Sequence, residues 1–172
     1  AFAGLAGQLR DAGSAFASSG YKALGAIIWL QPGLGDKLEE LGKIAKAVKG
    51  HAWAVYSHLA ELIKVCPEML EKFTASIRIA EVCGAHTAAA YGALVKMIIA
   101  RPGLIDKLDA CIELFRKIRK AAGVQAGPAY QVFGEIVAEC SDLAEKLEGF
   151  VLLAQRFSEE TEDVYTIILN ML

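Results

Sequence analysis

Five tyrosines divide this chain into phrases of nearly equal length. Tyr21, Tyr56 and Tyr91 stand 35 residues apart, Tyr130 follows 39 residues later, and Tyr165 comes 35 after that. The first four open similar runs: YKALGAIIWLQPGLGDKL, YSHLAELIKVCPEMLEKF, YGALVKMIIARPGLIDKL and YQVFGEIVAECSDLAEKL. The fifth, YTIILNML, ends with the chain. A large apolar residue follows three places after every tyrosine. A proline stands eleven places after the first three (Pro32, Pro67, Pro102), and Ser141 takes that place in the fourth. Self-similarity at a period of a few tens of residues marks a stack of small supersecondary units.

Each unit reads as a pair of helices. From Tyr56, the apolar positions Leu59, Leu62, Ile63 and Val65 follow helical spacing. Pro67 cannot continue that helix, because it lacks an N–H and its ring collides with the preceding turn, but it suits the first turn of the next one. The second helix is expected through Leu70, Phe73, Ile77 and Ala80, ending near Gly84. Gly50 and Gly123 hold comparable places in the neighbouring units. A single helical hairpin cannot bury its apolar stripe alone, so neighbours must stack. The expected fold is therefore all-α, with stacked helical hairpins across residues 1–172 as one helical-repeat domain. A leading helix is expected over Leu5–Phe16, and another helix start at the acidic run Ser158–Asp163. The segment Gly123–Pro128 (GVQAGP) is the clearest break in the pattern. The four extra residues between Tyr91 and Tyr130 are expected there, as a surface connection.

Hydrophobic residues make up 55% of the chain and the mean hydropathy is +0.38, high for a protein surrounded by water. The charge-free stretches Ala23–Gly35 and Val82–Val95 hold 13 and 14 residues, and none in the chain is longer than 14, short of the roughly 20 a spanning helix needs. No transmembrane segment is expected. The apolar excess points either to a face hidden in a homo-oligomer or larger complex, or to an interior enclosing an apolar small molecule.

Lys and Arg number 18 against 20 Asp and Glu, a formal charge of −2. That balance disfavours nucleic acid as the main partner, since binding a phosphate backbone needs a dense positive field. One local cluster, Arg116, Lys117, Arg119 and Lys120, could meet phosphate or an acidic protein. The carboxylates of each unit fall early in its second helix and the basic residues late, an arrangement that suits the helix dipole.

Cys66, Cys83, Cys111 and Cys140 form no CxxC pair, and they are expected to pack as free buried thiols. His51 and His58 lie two turns apart on one helix, too far for the adjacent-turn pair of a zinc helix, and Cys83 with His86 supplies only two ligands. No metal site is expected. No Glu-x-x-His, GxSxG, GxGxxG or P-loop occurs, so no catalytic residues are assigned. Trp29 and Trp53 have core packing as their default and the lining of a flat apolar ligand as their alternative.

Three families are similar in part. The Tyr-x-x-Leu opening and the period resemble pentatricopeptide repeats, which read RNA with polar side chains two positions after the tyrosine. Here those positions hold Ala23, His58, Ala93, Val132 and Ile167, poor material for reading a base. The helix-ending prolines resemble mitochondrial transcription termination factor repeats, which are more basic. The segments LRDAGSAFA (Leu9–Ala17), LQPG (Leu30–Gly33), LEELGKIAK (Leu38–Lys46), Ala93–Leu94 ahead of Pro102, PAY (Pro128–Tyr130) and AEKLEGF (Ala144–Phe150) resemble, in order, the half-domain of dinoflagellate peridinin–chlorophyll a-binding proteins. That resemblance implies a helical light-harvesting container for chlorophyll and carotenoid in the plastid or thylakoid lumen. The family's consecutive His pair falls near Cys66-Pro67 here, so a chlorophyll ligand would have to come from another group such as His58.

The expected function is a non-catalytic binding protein: a helical container for apolar ligands of the pigment type. Its ligand-binding candidates are His58, His51, His86, Trp29 and Trp53. Two other classes stay open, an organellar αα-repeat protein that binds nucleic acid through Arg116–Lys120, and a scaffold subunit that binds only protein.

Overall fold

The computed structural model describes residues 17–30, 34–48 and 51–139, together with Gly7. Apart from Gly7, the leading helix expected over Leu5–Phe16 lies outside the described residues, as do Gly50, Cys140, the Ser158–Asp163 run and Tyr165. Within them the chain is all-α: α1 (Ala17–Leu30), α2 (Leu38–Val48), α3 (Ala52–Val65), α4 (Phe73–Cys83), α5 (Thr87–Ala100), α6 (Leu108–Ala122) and α7 (Ala126–Glu139). Short 3₁₀ segments join them at Leu34–Lys37, Pro67–Lys72, Gly84–His86, Pro102–Lys107 and Gly123–Gln125.

The helices form two layers. In one, α1 packs on α3, α3 on α5 and α5 on α7; in the other, α2 packs on α4 and α4 on α6. Between the layers lies a continuous core of Leu, Ile, Val, Ala and aromatic residues. Tyr56, Tyr91 and Tyr130 are fully buried there, each with its hydroxyl donating to a carbonyl of the opposite layer: Leu41 at 2.6 Å, Ser76 at 2.7 Å and Phe115 at 2.9 Å. A buried phenol must find an acceptor, and each finds it fifteen residues back along the chain. Phe115 stacks at a tilt on Tyr130, with ring centroids 5.0 Å apart.

The prolines end helices as their chemistry requires. Cys66 and Arg101, immediately before Pro67 and Pro102, are extended at φ −137° and −142°, as crowding by a following proline ring demands. The next α-helix does not begin at the proline, however. A 3₁₀ segment runs first, and α4 and α6 start only at Phe73 and Leu108. Their far ends are set by Gly84 and Gly123, both at φ +56°, where any side chain would be strained.

Three expectations need correction. Gly123–Pro128 is no loop: after one 3₁₀ turn, α7 begins at Ala126 and carries Pro128 in its first turn. The four extra residues lengthen a helix instead, since α6 has 15 residues where α4 has 11. Val65 does not belong to the core stripe and is 46% exposed, because Leu59, Leu62 and Ile63 define the buried face and Val65 lies about a third of a turn from its centre.

Charges lie across the layer formed by the second helices. Lys37 pairs with Glu71 at 3.4 Å, Lys72 with Asp106 at 3.4 Å, and Arg78 with Asp109. These pairs are exposed and each contributes little; what they favour is one register between successive helices. Residues Pro67–Ala100 are the one stretch among the described residues long and apolar enough to cross a membrane by length and composition, and half of its most apolar part is buried inside the fold. Gly84 breaks that stretch into α4 and α5, which pack on each other. Helices of 11 and 14 residues are each shorter than a bilayer core of about 30 Å.

Candidate functional site

The residue types along α5 open a cleft on the outer side of its layer. α5 turns Ala88, Ala89, Gly92 and Ala93 towards the space between α3 and α7, with Ala85 of the preceding 3₁₀ turn beside them, so its backbone forms a floor with almost no side chains above it. His51, His58 and Glu61 of the α3 side make one wall and Gln131 and Glu135 of α7 the other, with His86 at the start of α5 and Lys96 further along. The cleft has a volume of about 690 Å³, within the range of small-molecule sites.

Local structure sets each histidine. His51 and His86 are the residues just before α3 and α5, at nearly the same backbone angles (φ −96° and −95°), and neither side chain caps its helix. Both imidazoles are thereby left to face the cleft. His58 comes two turns into α3, about 10 Å along the axis from His51. Its Nδ1 is 3.5 Å from Glu61 Oε2, an ion-pair distance, yet the alignment makes no hydrogen bond and Nδ1 is buried without another partner. On the other side, His58 Nε2 faces α5: a methyl carbon added at Gly92 would lie 3.4 Å from it. His86 likewise rests on α7, its Nδ1 3.2 Å from the place a Gly127 side chain would begin. Lys96 Nζ and Glu135 Oε1, 2.5 Å apart, tie α5 to α7 beside the floor.

Close packing holds the floor in place. α7 approaches α5 so tightly that a side chain at Gly134 would start 2.7 Å from Ala93 Cα, so only glycine permits that spacing.

The structure thus gathers His51, His58 and His86 and separates them from the tryptophans. Trp29 is 86% exposed at the end of α1, beside a different groove on the other flank of α3, so the expectation of core packing fails for it. The reason is positional. The stripe Ala23, Leu24 and Ile27 faces inward and Trp29 lies off that stripe. Trp53 is 37% exposed and does not line the cleft. Glu61, Gly92, Lys96, Gln131 and Glu135 were not singled out by the sequence reading. Their signal is positional too: they fall one or five places after Tyr56, Tyr91 and Tyr130, beside the two-place position of His58.

Among the described residues no three His, Cys, Asp or Glu stand close enough to hold a metal ion. Cys66, Cys83 and Cys111 are free and buried. Burial pushes each thiol up to about 11, and for Cys66 the Glu68 carboxylate, which accepts from its Sγ at 3.1 Å, adds to the effect. The Cys66 thiol therefore serves Glu68. The basic cluster is half occupied: Arg116 pairs with Glu113, while Arg119 donates to the Val82 carbonyl and lies over Gly84. Lys117, Arg119 and Lys120 are its exposed cations with no ion pair among the described residues. In comparisons with known proteins, no family model, curated protein or solved structure matches this chain.

Proposed function

We propose that this chain is a binding protein whose cleft takes a flat, largely apolar small molecule edged with polar groups, a tetrapyrrole pigment being the first choice. One observation carries the reading: the chain's 3 histidines all line a single cleft over an alanine and glycine floor. The floor offers a flat face that a planar ring can approach closely, and burial of that face supplies the affinity. The imidazoles stand at the margin, where they can hydrogen-bond a ring substituent or ligate a ring metal through a nitrogen lone pair. His58 suits the second role best. Its Nε2 turns to the floor, and the Glu61 carboxylate stands 3.5 Å from Nδ1, close enough to take up the hydrogen bond that orients metal-ligating histidines. Among the described residues none that lines the cleft is Ser, Thr or Cys. The peridinin–chlorophyll resemblance adds carotenoid as a companion ligand and a plastid compartment to this proposal.

The test is an absorption spectrum of the natively purified protein from 300 to 750 nm, followed by titration of the pigment-free protein with chlorophyll a and with a zinc porphyrin. Blue and red bands, and a shifted Soret band lost in His58→Ala, support the reading. A colourless native protein that shifts neither spectrum sinks it.

A further inference from the structure

α3 has a second groove on its other flank, against α1, and the cleft reading makes no use of it. Its floor is Gly25 and Ala26 of α1 and Ala60 of α3, and its volume is about 580 Å³. Trp29 and Leu30 form one edge and Lys64 stands at the same end on α3. Two features of this groove are costly or idle as they stand. Trp29 is 86% exposed, the most exposed large apolar side chain among the described residues, and an indole left in water is surface available for burial. Lys64 is exposed and makes no ion pair among the described residues. Among the described residues the one carboxylate lining the groove is Glu61, which also lines the cleft and sits 3.5 Å from His58 Nδ1.

We infer that this groove binds a long-chain monocarboxylate, a free fatty-acid anion. The apolar chain lies along Gly25, Ala26 and Ala60 under the Trp29 indole, and the carboxylate meets the Lys64 ammonium at the groove's end. Charge complementarity selects the anion over a neutral lipid of the same length, because Lys64 is a donor with three N–H groups and no acceptor of its own. The Lys64 stem can cover apolar surface while its head stays in water, which suits the boundary between tail and headgroup. Gly25 is the natural point of control, since a side chain added there meets nothing within 4 Å and would fill the groove without disturbing the helix.

The experiment titrates oleate, below its micelle concentration, into Trp53→Phe protein, in which Trp29 is the single indole reporter. Expected are a saturable blue shift of Trp29 emission and oleyl alcohol binding at least about tenfold weaker, a difference of about 1.4 kcal/mol. Lys64→Glu should weaken oleate at least about tenfold and Lys64→Arg should restore it. Gly25→Leu should abolish the shift while far-UV circular dichroism stays unchanged. The inference is overturned if oleate gives no saturable shift, or if Gly25→Leu leaves the shift intact. It is equally overturned if alcohol and acid bind alike, if phosphatidylcholine vesicles shift Trp29 in place of the free acid, or if the shift follows protein concentration without oleate, which would assign the groove to a second copy. Gly25, Trp29 and Lys64 lie outside the histidine cleft, so failure here leaves the pigment titration to be judged by itself.

Discussion

The hydroxyl of Tyr91 donates at 2.7 Å to the carbonyl oxygen of Ser76, on the far side of the core from its own helix. Tyr56 and Tyr130 make the same reach to Leu41 and Phe115. Each bond ties a helix of one layer to the preceding helix of the other through a fully buried ring. Three of the five tyrosines that punctuate the sequence thus join the layers.

Tyr91→Phe keeps the ring and removes the hydroxyl. It should destabilise the fold by about 1 kcal/mol, the usual net value of a buried neutral hydrogen bond. A lower urea midpoint with an unchanged slope would show it. An unshifted midpoint would mean that the Ser76 carbonyl is fully satisfied within α4.

Gly134 and Gly25 should respond oppositely to alanine. At Gly134 the new carbon would meet the Ala93 backbone at 2.7 Å, forcing α5 and α7 apart at a cost of about 1–3 kcal/mol. At Gly25 it meets open space, so the better helix propensity of alanine should add up to about 1 kcal/mol. Thermal melts of the two variants separate these outcomes.

Gly92→Leu should close the cleft without unfolding the protein, because its side chain would grow into the space beside His58 Nε2, 3.4 Å away. Pigment binding should fall at least about tenfold, with stability held or slightly raised by helix propensity. Binding that survives Gly92→Leu would place the ligand elsewhere.

Alkali should unfold this protein before acid chemistry at its thiols becomes visible. Burial pushes Cys66, Cys83 and Cys111 from an ordinary 9.0 up to about 11, and burial raises Tyr56, Tyr91 and Tyr130 as well. In each case the folded state holds the proton more tightly than the unfolded chain. The stabilisation is therefore fully present below pH 9 and is lost as pH rises towards 11 and beyond. Urea midpoints should fall steadily over that interval. At pH 8 these thiols should resist a disulfide reagent until denaturant is added, and rapid modification of the native protein would contradict their burial.

The cluster Arg116–Lys120 should hold heparin weakly. With Arg116 paired to Glu113 and Arg119 keeping its charge over the neutral Val82 carbonyl, about three cations remain, which corresponds to a slope near −3 in log affinity against log salt. Elution at or below about 0.15 M salt is expected, and strong retention above it would revive the nucleic-acid reading.

Which parts of the molecule could be read from residues alone follows from the range of the forces involved. Helix periodicity, proline stops and glycine ends are local: Pro67 and Pro102 forbid continuation by their own geometry, and Gly84 ends α4 because no other residue tolerates its backbone angles. Those features belong to the sequence by itself, and they determined the all-α class. GVQAGP carries turn residues and so draws the four additional residues before Tyr130 to itself, whereas the insertion lies in α6, one more turn of ordinary helix with no local mark. Trp29 was misjudged for a related reason, since composition favours burying an indole but its angle off the Leu24–Ile27 stripe decides. The histidines were visible one at a time, and their meeting was not. His51, His58 and His86 converge because α3 and α5 lie side by side with their starts level, and the cleft exists because Gly134 lets α7 close on Ala93. Both depend on how helices distant in the chain pack, which only the tertiary structure decided.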